Sequence, residues 1–241
     1  MKMGTSVARQ GLTRSQARAT GWLYLGTIAT GVFAEGFARS GLAVPGNATA
    51  TASNILSHEA LYRAGLASDA LMLCFYIAVT ALLYVMLNAT GRKVSLIAAG
   101  FSMTGIAILA ASSLLLFSPI LQPAVGPGID ASALKRHGES ALLALALHSE
   151  GYGMSLIFFG TYCILLGYLI WRSGLLPRTI GALMAIGGAA HLLNSFTGMA
   201  APLFARDLPQ QMLLLPLLGE SALSLWLILF GIRDSGKTGR T

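Results

Sequence analysis

Glu35, Asp69, His148, Glu150, His191 and Glu220 lie in, or at the edge of, stretches that are otherwise apolar. A charged side chain at the centre of a bilayer costs about 2.5–3.5 kcal/mol on insertion scales, so such residues face a protein interior or a wet cavity. Carboxylates joined by one or two imidazoles make a shell for a zinc-like divalent ion, whose bound water can attack an ester or amide. The same groups can instead relay protons, or simply hydrogen-bond one helix to another. None of their spacings is as specific as His-Glu-x-x-His. The function therefore stays open between three classes: a metal- or acid–base-dependent enzyme on a lipidic or amphipathic substrate, a proton-coupled carrier, and a non-catalytic ligand-binding or partner subunit.

The elements that must position these residues are membrane spans. Of the 241 residues, 55% are hydrophobic and 10% charged, against about 25% charged in a soluble domain. The mean hydropathy is +0.70. Spanning a bilayer core takes about 20 apolar residues in a helix, and six windows meet or approach that length: 21–38, 66–88, 94–117, 146–171, 179–201 and 212–232. The expected fold is all-α, a polytopic six-helix bundle. Residues 1–20 form a basic lead, 21–232 the membrane domain and 233–241 a tail. A β-barrel would show segments of about ten residues with alternating polarity, and these windows do not.

The net charge of +7 has a topological reading. Eleven basic residues fall before span one, after span six, or between spans two and three and spans four and five; five fall on the other side. The positive-inside rule then puts both termini in the cytoplasm. A nucleic-acid partner is excluded, because no basic patch comes with a reading fold. The first apolar run has basic flanks but no clear small-x-small cleavage site, so it reads as a retained span. Cys74 and Cys163 lie inside spans and read as core residues rather than a disulfide or a metal pair. The oligomeric state is not legible.

Counting depth at 1.5 Å per residue places the ionisable groups in one layer between midplane and outer surface. Glu35 sits about 20 Å along span one and His191 about 18 Å along span five. Asp69, His148 and Glu150 stand near the outer starts of their spans, and Glu220 about 12 Å into span six. Thr27, Gly31 and Glu35 share one face of their helix, as do Glu220 and Ser224. His191, Asn194 and Ser195 form a patch. His148 and Glu150 are about 200° apart around a helix, so both cannot face the interior. Pro216, four residues before Glu220, bends its helix beside the carboxylate.

In the first outer connection Asn47 caps a short helix through about Ser57. In the second, Pro119, Pro123, Gly126, Pro127 and Gly128 break the helix, and Asp130 or Ser132 starts an amphipathic one leading into span four. Gly153, Gly160, Gly167 and Gly174 recur every seven residues and predict a flat packing stripe.

Several stretches together resemble the bacterial six-span membrane family catalogued as a domain of unknown function, DUF4386. They are Gly31-Val-Phe-Ala-Glu35, Val44-Pro-Gly46 with Ala52-Ser-Asn-Ile55, His148 followed by Gly151-Tyr152, Phe158-Phe-Gly160, Leu166-Gly-Tyr-Leu-Ile170, Arg172-Ser-Gly-Leu-Leu-Pro177, and Gly219-Glu220 with Trp226. The resemblance runs from about Thr20 to Ile232. It implies six spans in the bacterial cytoplasmic membrane and no assigned reaction. His191 stands where that family suggests an aromatic and Asn194 where it suggests an acid, while Glu150 looks particular to this chain. The candidates for catalysis or metal ligation thus narrow to His148, Glu35, Glu220 and Asp69. His148 is cast as ligand or general base, Glu35 and Glu220 as ligands or acid–base partners, and Asp69 as the group orienting His148. His191, Asn194, Glu150 and Ser224 are secondary pocket positions.

Overall fold

The chain is described by a computed structural model covering residues 13–121, 130–205, 212 and 214–233. Among these residues the regular structure is helical. Thr13 and Gln16 form a reciprocal capping box that starts α1 (Arg14–Val32). One π-helical turn, Phe33–Arg39, continues it. Asn47 accepts from the Ala50 amide and opens α2 (Ala48–Ser57), where the sequence places it. Then come α3 (Glu59–Leu115), α4 (Ser118–Leu121), α5 (Ala131–Ser173), α6 (Arg178–Ala200), α7 (Pro202–Ala205) and α8 (Leu214–Leu229). Asp130 caps α5 through the Ser132 amide. The amphipathic lead and span four are therefore one unbroken helix. Pro123, Gly126, Pro127 and Gly128 lie outside the described residues.

Helix α3 is two arms. At Gly91 the backbone leaves the helical region, with φ −171° and ψ 87°. A straight helix would hold Thr80 and Ser102 about 33 Å apart, yet their hydroxyl oxygens are 2.7 Å apart and buried. The chain folds back here, and residues 59–90 and 92–115 run antiparallel. The α5–α6 turn is tight because Gly174 takes φ 68°, the left-handed C-cap that glycine adopts without strain.

α3, α5 and α6 are long and apolar enough to cross a membrane, and α8 is a shorter apolar helix. Apolar side chains also face outward, among them Leu114 at 69% exposure and Leu96 at 60%. Such a surface suits lipid and not water.

Helix α5 is central, packing against α2, α3, α4 and α6. The glycine stripe supplies half of what it predicts. A Cβ on Gly160 would stand 2.7 Å from the Gly188 carbonyl oxygen, and one on Gly167 would strike the Gly181 carbonyl. These two let α5 and α6 touch backbone to backbone. Gly153 faces open space and Gly174 is the cap. The larger core runs through the bundle around Tyr24, Val79, Leu83, Phe159 and Leu223. A second, smaller core of Leu42, Ile55, Tyr62, Leu66, Leu116 and Ala141 joins the connections at the opposite end from the α5–α6 turn. There the Tyr62 hydroxyl donates to the Leu116 carbonyl at 2.7 Å, and Gly138 of α5 sits against the backbone of Ala48.

Candidate functional site

A cavity of about 300 Å³ lies in the larger core, at the low end of the size of small-molecule sites. Every arm of the bundle contributes. Thr27, Gly31 and Glu35 come from α1 and its π turn; Met72, Tyr76 and Leu109 from the two arms of α3; Tyr152 and Phe159 from α5; His191 from α6; Pro216 and Glu220 from α8. The four-residue spacing of Thr27, Gly31 and Glu35 thus delivers all three to one wall. Pro216 and Glu220, again four apart, share another. Gly187 admits the backbone of α8 at Pro216, where a Cβ would stand 2.8 Å from the proline Cα.

Beside the cavity is an ion-pair cluster. The Arg39 guanidinium holds Asp69 with both terminal nitrogens: Nη1 donates to Oδ2, and Nη2 donates to Oδ1 at 3.2 Å. Its Nε donates to Glu35 Oε2 at 2.9 Å. Asp69 is 3% exposed and Arg39 9%, whereas the Glu35 side chain is 70% exposed. The π turn has its own hydrogen-bond signature, with the Ser40 amide donating to the Glu35 carbonyl five residues back at 3.0 Å. Single π turns inside α-helices cluster at functional sites. Sequence reasoning treats Arg39 as one of the outer charges and misses it as a site residue. The signal that could have found it is its place four residues after Glu35, the spacing of a helical ion pair.

Asp69 does not orient His148. Its carboxylate is taken by Arg39, a better partner because the bidentate guanidinium bond is charge-assisted at both contacts. His148 is buried, and its Nδ1 lies 3.3 Å from Ser112 Oγ. The Ser112 hydroxyl proton goes to the Leu109 carbonyl at 2.9 Å. With that proton committed to Leu109, Nδ1 is the donor to Ser112 Oγ. His148 and Asp69 are not among the cavity-lining residues.

The secondary positions also separate. His191 lines the cavity, whereas Asn194 does not. Glu150 points outward, as the 200° offset from the buried His148 requires. Ser224 is buried but donates to the Gly21 carbonyl at 2.9 Å, tying α8 to α1 rather than lining the pocket. Cys163, read as core, is buried, with its thiol 3.9 Å from Glu220 Oε1. Cys74 is exposed instead. Tyr76, Tyr152 and Phe159 line the cavity without having been candidates.

Glu35, Asp69, His148 and Glu220, the set considered for a zinc-like shell, do not converge on one point in this structure: Asp69 pairs with Arg39 and His148 with Ser112. Among the described residues no three His, Cys, Asp or Glu side chains gather as a metal ion requires. Asp69 gives both oxygens to Arg39, and a guanidinium beside a cation's ligands opposes its binding.

No curated protein and no solved structure matches the chain. The model of DUF4386, a domain of unknown function, matches residues 19–231. With the match covering nearly the whole chain, this protein belongs to the DUF4386 family.

Proposed function

We propose that the protein crosses the bacterial cytoplasmic membrane six times with both termini inside, and that its cavity binds a lipidic or amphipathic small molecule in the outer half of the bilayer. Six arms support the count: α1 with its π turn, the two arms of α3, α5, α6 and α8. Three contacts bring the start of α1, the end of α8 and the α5–α6 turn to one end. Arg18 reaches the Leu229 carbonyl at 3.5 Å, Gly231 packs on Arg14, and the Arg233 amide donates to the Leu175 carbonyl at 3.0 Å. Arg172 and Arg178 share this end. Arg172 donates to the Tyr168 hydroxyl at 2.9 Å, and Arg178 lies 5.8 Å from the Trp171 ring centre. All three tryptophans, Trp22, Trp171 and Trp226, fall within a few residues of it. Aromatic belts form at both membrane interfaces, and it is the clustering of basic residues at this end that supports placing it on the cytoplasmic side.

The observation that carries the binding reading is the cavity, whose walls are mostly apolar and whose polar points are few. Glu35, Glu220 and His191 are the contacts we assign to the ligand. The same three would supply acid and base groups if the bound molecule reacts. Asp69 acts through Arg39, as a positioning residue for Glu35.

Photolabelling in nanodiscs with a diazirine-bearing dodecanol tests this. Labels on the α3 and α5 segments carrying Met72 and Tyr152, lost when Gly31→Phe fills the cavity, are expected. Labelling confined to outward-facing residues such as Leu96 and Leu114, unchanged by Gly31→Phe, removes the proposal.

A further inference from the structure

Resting on the binding reading above, we infer that the ligand is a cationic amphiphile, a lipophilic amine or quaternary ammonium. Among the described residues, the cavity and its adjoining ion-pair cluster hold three carboxylates, Glu35, Asp69 and Glu220, against one guanidinium, that of Arg39. Arg39 is fully engaged by Asp69 and one Glu35 oxygen. Glu220 has no cationic side chain paired to it among the described residues and instead faces the Cys163 thiol. Among the described residues no lysine or arginine lines the cavity. A carboxylate sheltered from water either takes up a proton or is balanced by a charge of opposite sign, and a ligand ammonium group supplies that charge.

The walls suit the rest of such a molecule. Tyr76 and Phe159 stack with ring centres 4.7 Å apart, and both line the cavity together with Tyr152. Aromatic faces attract ammonium groups, the more so when desolvated. Ile28, Val32, Met72, Leu156 and Leu217 offer a lining for an alkyl chain. A phosphate or carboxylate head would meet Glu35 and Glu220 with no free lysine or arginine among the described lining residues to receive it.

The test is calorimetric titration of the full chain in discs of uncharged galactolipid, with empty discs subtracted. The probes are octyltrimethylammonium, octanesulfonate and octanol. Saturable binding of the ammonium probe, weakened at least tenfold by Glu220→Gln, with none for the sulfonate, is the expected result. Should Glu220→Gln fail to fold, the ranking of the three probes on the unaltered protein still decides. Equal binding of octanol, or preference for the sulfonate, overturns the cationic assignment and leaves the cavity reading standing. Saturation by none of the three sinks both. Adding phosphatidylethanolamine to the discs separates two sources of the same chemistry. Weaker apparent affinity for the ammonium probe identifies the membrane's own amine heads as the occupant, and unchanged affinity identifies a free amine.

Discussion

Breaking the Arg39–Asp69 pair tests the ion-pair cluster that ties the π turn to α3. Both side chains are shielded, at 10% and 5% exposure. Solvent therefore screens the pair little, and removing one partner strands the other's charge. For buried pairs that loss is about 3–5 kcal/mol. Asp69→Leu leaves the guanidinium with Glu35, still attached through Nε at 2.9 Å, so its cost belongs near about 3 kcal/mol, the lower end of that range. Arg39→Met strands Asp69 and releases Glu35 together, so its cost belongs toward about 5 kcal/mol. The double variant Arg39→Met/Asp69→Leu removes both buried charges and leaves Glu35 exposed. Apolar replacement of a whole buried pair is often neutral, so the double variant is expected to be more stable than either single one. The assay is unfolding in mixed micelles by added dodecyl sulfate, followed by circular dichroism at fixed pH. Single variants each costing under about 1 kcal/mol, or a double variant whose loss equals that of the two singles together, would refute the reasoning.

Two further outcomes follow from the connections. His137, on the amphipathic lead of α5, is 4% exposed with neither ring nitrogen hydrogen-bonded, and burial lowers its pKa. The unfolded chain, with a histidine pKa near about 6.5, then binds the proton more readily than the folded one. The stability held at pH values above that point is lost as pH falls toward the depressed folded value. Unfolding midpoints should drop below about pH 6.5 more steeply in the wild type than in His137→Leu, and parallel slopes would count against this. At the fold-back, Gly91→Ala should cost less than about 1 kcal/mol in the same micelle assay. Its φ of −171° is open to any residue, and a Cβ would meet Leu169 Cδ2 at an ordinary 3.4 Å. A loss of several kcal/mol would show that glycine itself is required there.

What the sequence made legible is what periodicity along one helix can carry. Thr27, Gly31 and Glu35 reach one wall because residues four apart share a face. For the same reason His148 and Glu150 part, one buried and one exposed. Asn47 and Asp130 cap α2 and α5 because a short polar side chain before an apolar run satisfies free amides. What it did not carry is how each helix is rotated against its neighbours. In a soluble helix the polar stripe marks the outside, but here the lipid-facing and core-facing sides are both apolar. That is why Cys74 and Cys163 read alike yet end on opposite sides, and why His191 enters the cavity while His148 bonds to Ser112. Pairing across helices is lost for the same reason. The sequence reading pairs Asp69 with the imidazole of His148, whereas the structure pairs it with the guanidinium of Arg39. The π turn helps set where Arg39 lies relative to Asp69, and such a turn has no sequence signature comparable to a cap or a break. Where a span carries charge, the informative comparison is therefore between partners of opposite sign at matched depth. Arg39 and Asp69 stand within a few residues of the facing ends of consecutive arms, so their positions along the chain already mark them as such a pair.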